Sequence, residues 1–144
     1  MAIIQTTCTS FKLQLLKAEH DFDAHTFKIA LYSSAASLGA DTTVYSTSSE
    51  ITNTSGTAYT AGGKPLTVTS TFPKTSGTTA IVDFDNISWT DASFTARGAL
   101  IYNSSASNKA VAVLDFGSDR VASDSTFEIQ FPVADATSAI IRIA

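Results

Sequence analysis

"SFTARGALIYNSSASNKAVAVLDFG", residues 93–117, decides the fold. Two apolar runs, 94–103 and 109–116, flank the polar pentapeptide SSASN. Apolar residues occupy both alternating sets of positions, which predicts a β-hairpin near the centre of a sheet with both faces partly covered. Two features imitate an active site: Arg97 beside Gly98 in an apolar run, and the triplet Asp115, Phe116, Gly117. A protein kinase would add a Gly-rich loop, a strand lysine and a catalytic aspartate loop in fixed order, and none occurs here. The triplet therefore reads as a strand end followed by a turn glycine. Arg97 shares a strand face with Thr95, Ala99 and Ile101, so an ion pair to Asp85 or Asp115, or an interface contact, suits it better than catalysis. Gly98 marks a bulge or a close backbone approach.

Outward from the hairpin, strand patterns dominate. "TFKIALYS" sets Phe27, Ile29 and Leu31 against Lys28, Ala30 and Tyr32. "PLTVTSTF" sets Leu66, Val68 and Ser70 against Thr67, Thr69 and Thr71, and "TTAIVDFDNISW" places Ala80, Val82 and Phe84 together, with a break expected at 90–93. "TFEIQFPV" alternates Phe127, Ile129 and Phe131 with Glu128 and Gln130, and "ATSAIIRIA" closes the chain. One segment has helical spacing: Phe11, Leu15, Leu16, Ala18 and Phe22 predict a short amphipathic helix of three turns at most, capped by Thr9 or Ser10. Residues 33–64 form a long polar passage, expected as a surface excursion with at most an irregular strand or helix at 44–51.

Seven or eight short strands without interleaved helices imply an all-β fold, a single β-sandwich or jelly-roll-like domain over 1–144, with residues 1–8 as an N-terminal arm. The 144-residue length fits one domain. Hydrophobic residues make up 44% and charged residues 15%, and 40 serines and threonines spread over the length fill the difference, which suits pleated surfaces and turns.

The net charge of −4, with nine Lys and Arg scattered singly, argues against nucleic acid as a partner. No apolar run is long enough for a membrane span. The N-terminal stretch lacks a basic region followed by a continuous apolar core, so the chain is expected to fold in the cytoplasm where it is made, and the N-x-S/T triplets at Asn53, Asn86 and Asn103 carry no glycosylation reading. Cys8 is alone and forms no internal disulfide.

The remaining chemistry is sparse. His20 and His25 stand among Glu19, Asp21 and Asp23, but their spacing suits a helix end and turn better than zinc. Asp83 and Asp85 share a strand face and could hold calcium or serve as glycosidase carboxylates; a solvated strand face is the favoured account. "DFDN" approaches the start of an EF-hand loop, with no acidic residue to close twelve positions after a central glycine. With no G-x-S-x-G elbow, no base oriented on a hydroxyl and no cofactor motif, the expectation is a non-enzyme with no catalytic, cofactor or metal residues.

The strings "GTAYTAGGKPLTV", "FTARGALIYNSSASNKAVAVLDFG" and "FEIQFPVADATSAIIRI" resemble small structural proteins of tailed bacteriophages. The shared order runs through a short helix, a "KIALY" strand, a G-x-x-Y-x-x-G-G stretch, a tryptophan, the T-A-R strand, an apolar hairpin and an apolar C-terminal strand, over nearly the whole chain. The resemblance implies a capsid cement or decoration protein on the virion surface, a homo-oligomer with a trimer favoured, bound to the major capsid protein. In such a protein the contacts would come from the N-terminal stretch and the 33–64 loop, through Ile3, Ile4, Val44, Tyr45, Ile51 and Tyr59, with Arg97 as a further interface candidate. The alternative is a tail-fibre or receptor-binding module that stacks host-surface sugars on Trp89, Tyr102 or Tyr59.

Overall fold

The 93–117 stretch is the middle of a hairpin longer than its sequence pattern predicts. The computed structural model describes residues 2–52, 57–68 and 72–144, mostly as antiparallel sheet. Strand β6 (Ile87–Asn103) pairs with β7 (Lys109–Ile129) around the 104–108 turn, where Ser107 and Asn108 take positive φ. The break expected at 90–93 is a bulge within β6. Trp89 pairs with Phe127 and Ala92 with Ser125, and Asp91 takes a φ of 52°. The Asp115, Phe116, Gly117 triplet does not end a strand either. Gly98 pairs with Asp115 and Ala96 with Arg120, so Arg97 alone stands opposite residues 116–119, and Gly117 supplies a φ of 82° inside this wide bulge.

β6 and β7 belong to a five-stranded sheet ordered β1-β7-β6-β2-β3, where β1 is Thr6–Thr7, β2 Phe27–Tyr32 and β3 Lys64–Pro65. A second sheet is ordered β4-β5-β8, with β4 Lys74–Ser76, β5 Thr79–Val82 and β8 Ile141–Ile143. β2, beside the middle strand β6, has both faces covered: Ala30 and Tyr32 are as buried as Phe27, Ile29 and Leu31. Phe127 and Ile129 are buried between exposed Glu128 and Gln130, as their alternation predicts.

Several expectations fail for local reasons. The helix α1 (Thr9–Leu16) is short, as expected, but it stops before Ala18 and Phe22 and its N-cap is Cys8, without a side-chain cap from Thr9 or Ser10. Cys8 is held instead by its N–H on Val111 O, so the sheet edge sets where the helix starts. Phe11 is the buried helical residue and Leu16 is 88% exposed, because Ala18, at a φ of 59°, turns the chain away before a second apolar row can dock. The 79–84 run is not one strand: β5 stops at Val82, Ala80 is exposed, and Phe84 bridges to Val68 as the chain passes towards the larger sheet. Of the strand expected at 66–71, Leu66 N–H donates to Phe27 O just after β3 and Val68 forms that bridge, while Thr69, Ser70 and Thr71 lie outside the described residues.

The 33–64 passage lies mostly at the surface in its described part, but it is pinned to the core by Ala36, Glu50, Ile51, Thr57 and Tyr59, which are all buried. The cause is β2. Beyond Ile29, which pairs with Lys64 of β3, no further strand among the described residues pairs with β2 on that side apart from a bridge between Tyr32 and Glu50, yet its residues are buried and their backbone groups need partners. Ile51 N–H donates to Leu31 O at 2.9 Å, and Leu31 N–H donates to Tyr59 Oη at 3.0 Å. Ile51 and Tyr59 thus satisfy the backbone of Leu31 at this sheet edge.

Candidate functional site

Glu50 organises the inner side of this passage. Its Oε1 accepts from Tyr59 Oη at 2.6 Å and from Gly62 N–H at 2.7 Å, and its Oε2 accepts from Tyr45 Oη at 2.7 Å. Tyr102 Oη donates to Gly62 O, and the Tyr45 and Tyr102 rings stack at 4.6 Å. Burial and the nearby carboxylate push the Tyr102 hydroxyl up to about 12, and burial with the Glu50 hydrogen bonds raises Tyr45 and Tyr59 further, so these phenols stay protonated donors. Tyr59, Gly62 and Gly63 are members of the G-x-x-Y-x-x-G-G stretch. Two of them hold Glu50, and Gly63 presses its Cα against the backbone of Ile29. Sequence reasoning missed Glu50, since a lone acid in a Ser/Thr-rich run normally faces water.

The outer side of the same passage faces a groove of about 850 Å³, walled by the N-terminal segment and residues 35–49. Ile4 and Val44 line it, with 61% and 47% of their surface exposed. Leu38 and Tyr32 form part of its wall, with serines and threonines, three alanines and Asp41 among the other lining residues. The N-terminal segment is fixed there: Ile3 bridges in parallel to Leu38, Leu38 N–H donates to Ala2 O, and β1 pairs with β7.

The seven interface candidates therefore separate. Ile4 and Val44 meet in the groove, whereas Ile3, Ile51 and Tyr59 are buried within the subunit and Tyr45 spends its hydroxyl on Glu50. Arg97 is half-buried, with Nε 3.2 Å from Asp115 Oδ1; Asp85 is not its partner. Asp115 N–H donates to Gln5 Oε1, which ties this ion pair to the groove rim. The Gly117 N–H and Arg97 together hold the Asp115 carboxyl below its ordinary range. The proposed sugar platforms Trp89, Tyr59 and Tyr102 are each at most 2% exposed.

Several other titratable groups are engaged structurally. Asn103 Nδ2 lies 3.0 Å from His20 Nδ1 and 2.9 Å from His25 Nδ1, and His20 Nε2 lies 2.8 Å from Gln14 Oε1. An amide N–H₂ donating to both Nδ1 atoms fixes both imidazoles as acceptors there, so this pair ties the 19–26 connection to the central hairpin. Burial pushes the Cys8 thiol up to about 11, which removes thiolate chemistry at neutral pH. Asp83 is buried rather than on a solvated face, and only Asp85 is exposed. Among the described residues no three His, Cys, Asp or Glu side chains gather as a metal-binding group, and no helix is long and apolar enough to cross a membrane.

Comparison with known proteins adds no relative: no family model matches the chain, and neither a curated protein nor a solved structure matches it.

Proposed function

We propose that the chain is a non-enzymatic structural protein of a tailed-bacteriophage virion, a cement protein on the outer surface of the head, built as a β-sandwich of jelly-roll type. It associates with itself, as a trimer, and with the major capsid protein. The observation that supports this best is the groove beside β1, where Ile4 and Val44 offer exposed aliphatic contact on a surface that also carries serines, threonines and Asp41. Lasting contact between subunits needs desolvated aliphatic anchors within a polar rim, and needs no reactive group. Polar chemistry in this protein is turned inward, on the Glu50 network and the Asn103–histidine pair. The carbohydrate-binding alternative loses its basis, because the aromatic residues that would stack a sugar are core residues.

The experiment is a particle reconstruction of the phage that encodes this chain, with the copy number measured by quantitative mass spectrometry. Density for this fold on the head, at a copy number close to that of the major capsid protein, is expected. A few copies per particle, or a position on the tail, would overturn the cement assignment.

A further inference from the structure

The course of the chain at the end of α1 leaves a hollow in the surface. The helix stops at Leu16, and Ala18, at a φ of 59°, turns the backbone away. From this end of the helix, Leu15 and the small Ala18 line the gap to the three-stranded sheet. On the sheet side Val82 pairs with Ile141 and Ala80 with Ile143, so these four side chains share one face. Val82 and Ile141 are buried while Ile143 is 53% exposed, so that face is covered at one end only. The hollow between helix and sheet, which Phe22 also lines, measures about 380 Å³.

Beside the hollow stands a projection. Leu13 and Leu16, three residues apart on the outer side of α1, are 57% and 88% exposed. Exposed leucines standing singly are ordinary, but two that adjoin an open apolar hollow make a contiguous patch. Charge is divided in the same way. α1 exposes Lys12 and carries no acid, and Lys17 follows at its C-terminal end; the turn beyond exposes Asp21 and Asp23, and Asp21 lines the hollow. An anionic membrane would attract the lysines and repel the aspartates next to them. A patch that sets an apolar projection beside an apolar hollow, and lysines beside aspartates, is instead complementary to itself.

We propose that α1 and the hollow beside it form a two-fold contact between two copies of this chain. Leu16 of each copy enters the hollow of the other, and Lys12 and Lys17 of each face the other's Asp21 and Asp23. Projection and hollow adjoin on one helix, so a half-turn about an axis passing beside α1 makes both insertions at once, and the contact closes at two copies. None of these residues lines the groove beside β1, so the contact does not rest on the virion reading and stands or falls separately from it.

Sedimentation equilibrium tests this, with the full chain carrying Ile4→Asp and Val44→Asp so that the groove beside β1 does not contribute. A concentration-dependent monomer–dimer equilibrium is expected. Leu16→Asp, at a side chain open to solvent, should leave Tm unchanged and weaken the dimer by at least roughly tenfold. The decisive arm reverses charge. Lys12→Glu with Lys17→Glu in one preparation, and Asp21→Lys with Asp23→Lys in another, each set like charges across the axis, so neither should dimerise alone. Mixed, they should form a one-to-one heterodimer, because every pair across the axis is then of opposite sign, and Leu16→Asp in both should abolish it. Asp21 Oδ1 also accepts the Asp23 N–H, so Asp23→Lys alone serves if the double acid variant fails to fold. No dimer up to about 1 mM protein, full dimerisation by Leu16→Asp, or a mixture that stays monomeric would each overturn the proposal. So would binding to anionic lipid vesicles, lost in Leu16→Asp, in a chain that does not dimerise, which would assign the face to a membrane.

Discussion

Tyr59 Oη lies 2.6 Å from Glu50 Oε1 while accepting the Leu31 N–H at 3.0 Å, so one hydroxyl joins a buried acid to the backbone of β2. Removing it leaves a buried N–H unpaired and takes one of two donors from Oε1. At about 1 to 3 kcal/mol for each group stranded in the interior, Tyr59→Phe should lower unfolding free energy by about 3 kcal/mol. Glu50→Ala should cost at least as much, since it orphans Tyr45, Tyr59 and Gly62 together. Urea unfolding measures both, and a loss below about 1 kcal/mol in either would show that the network does not hold the passage down.

Gly63 and Gly77 separate backbone strain from steric exclusion. Both take positive φ, at 75° and 62°, but a Cβ on Gly63 would sit 1.7 Å from Ile29 O, whereas one on Gly77 meets nothing within 4 Å. Gly77→Ala should therefore cost only the left-handed penalty, about 1 kcal/mol. Gly63→Ala must push the passage off β2 and should abolish cooperative folding. Circular dichroism and thermal scans of the two variants check the contrast.

The difference between these glycines was only partly legible in the sequence. The hairpin, the β2 strand and the alternation around Phe127 and Ile129 could be read because covered strands imprint a period of two or an apolar run. Bulges defeat that signal. Residues 90–93 and 116–119 look like breaks because the alternation slips there, although the strands continue. Glu50 could not be read at all, since its burial is created by partners up to twelve residues away in the chain and by a bare strand edge that composition does not register. Leu16 misled in the opposite sense: helical spacing gave it a face, but α1 ends before that face meets the sheet.

Acid should loosen the protein in a defined window. Burial, with Lys109 and His25 nearby, lowers the pKa of His20 below its ordinary value, against a smaller opposing effect of Glu19. The unfolded chain titrates this group near 6.5. Between the depressed folded value and about 6.5, the unfolded state binds more protons, so stability falls as pH drops through 6.5 and levels off once the folded group also titrates. Urea midpoints between about pH 7.5 and 5 should decline for the parent protein, and His20→Gln should flatten that slope. An unchanged slope would assign the acid sensitivity to other groups.

Ile3 and Ile4 are neighbours with opposite environments, and they allow the groove to be tested without confusing folding with association. Ile3 is 7% exposed and packs where a Cβ on Gly98 would meet it at 2.8 Å, so Ile3→Asp buries a charge in the core and should unfold the N-terminal segment. Ile4 and Val44 are open to solvent, and Ile4→Asp or Val44→Asp should change stability by no more than about 0.5 kcal/mol. If the groove is covered by another subunit, each of those aliphatic side chains contributes up to about 1.5 to 3 kcal/mol there, and a carboxylate in its place adds a desolvation cost. Binding to purified heads, or self-association followed by sedimentation, should then weaken at least tenfold, equivalent to about 1.4 kcal/mol, with Tm unchanged. Full binding by the Ile4→Asp, Val44→Asp double variant would move the contact surface away from the groove.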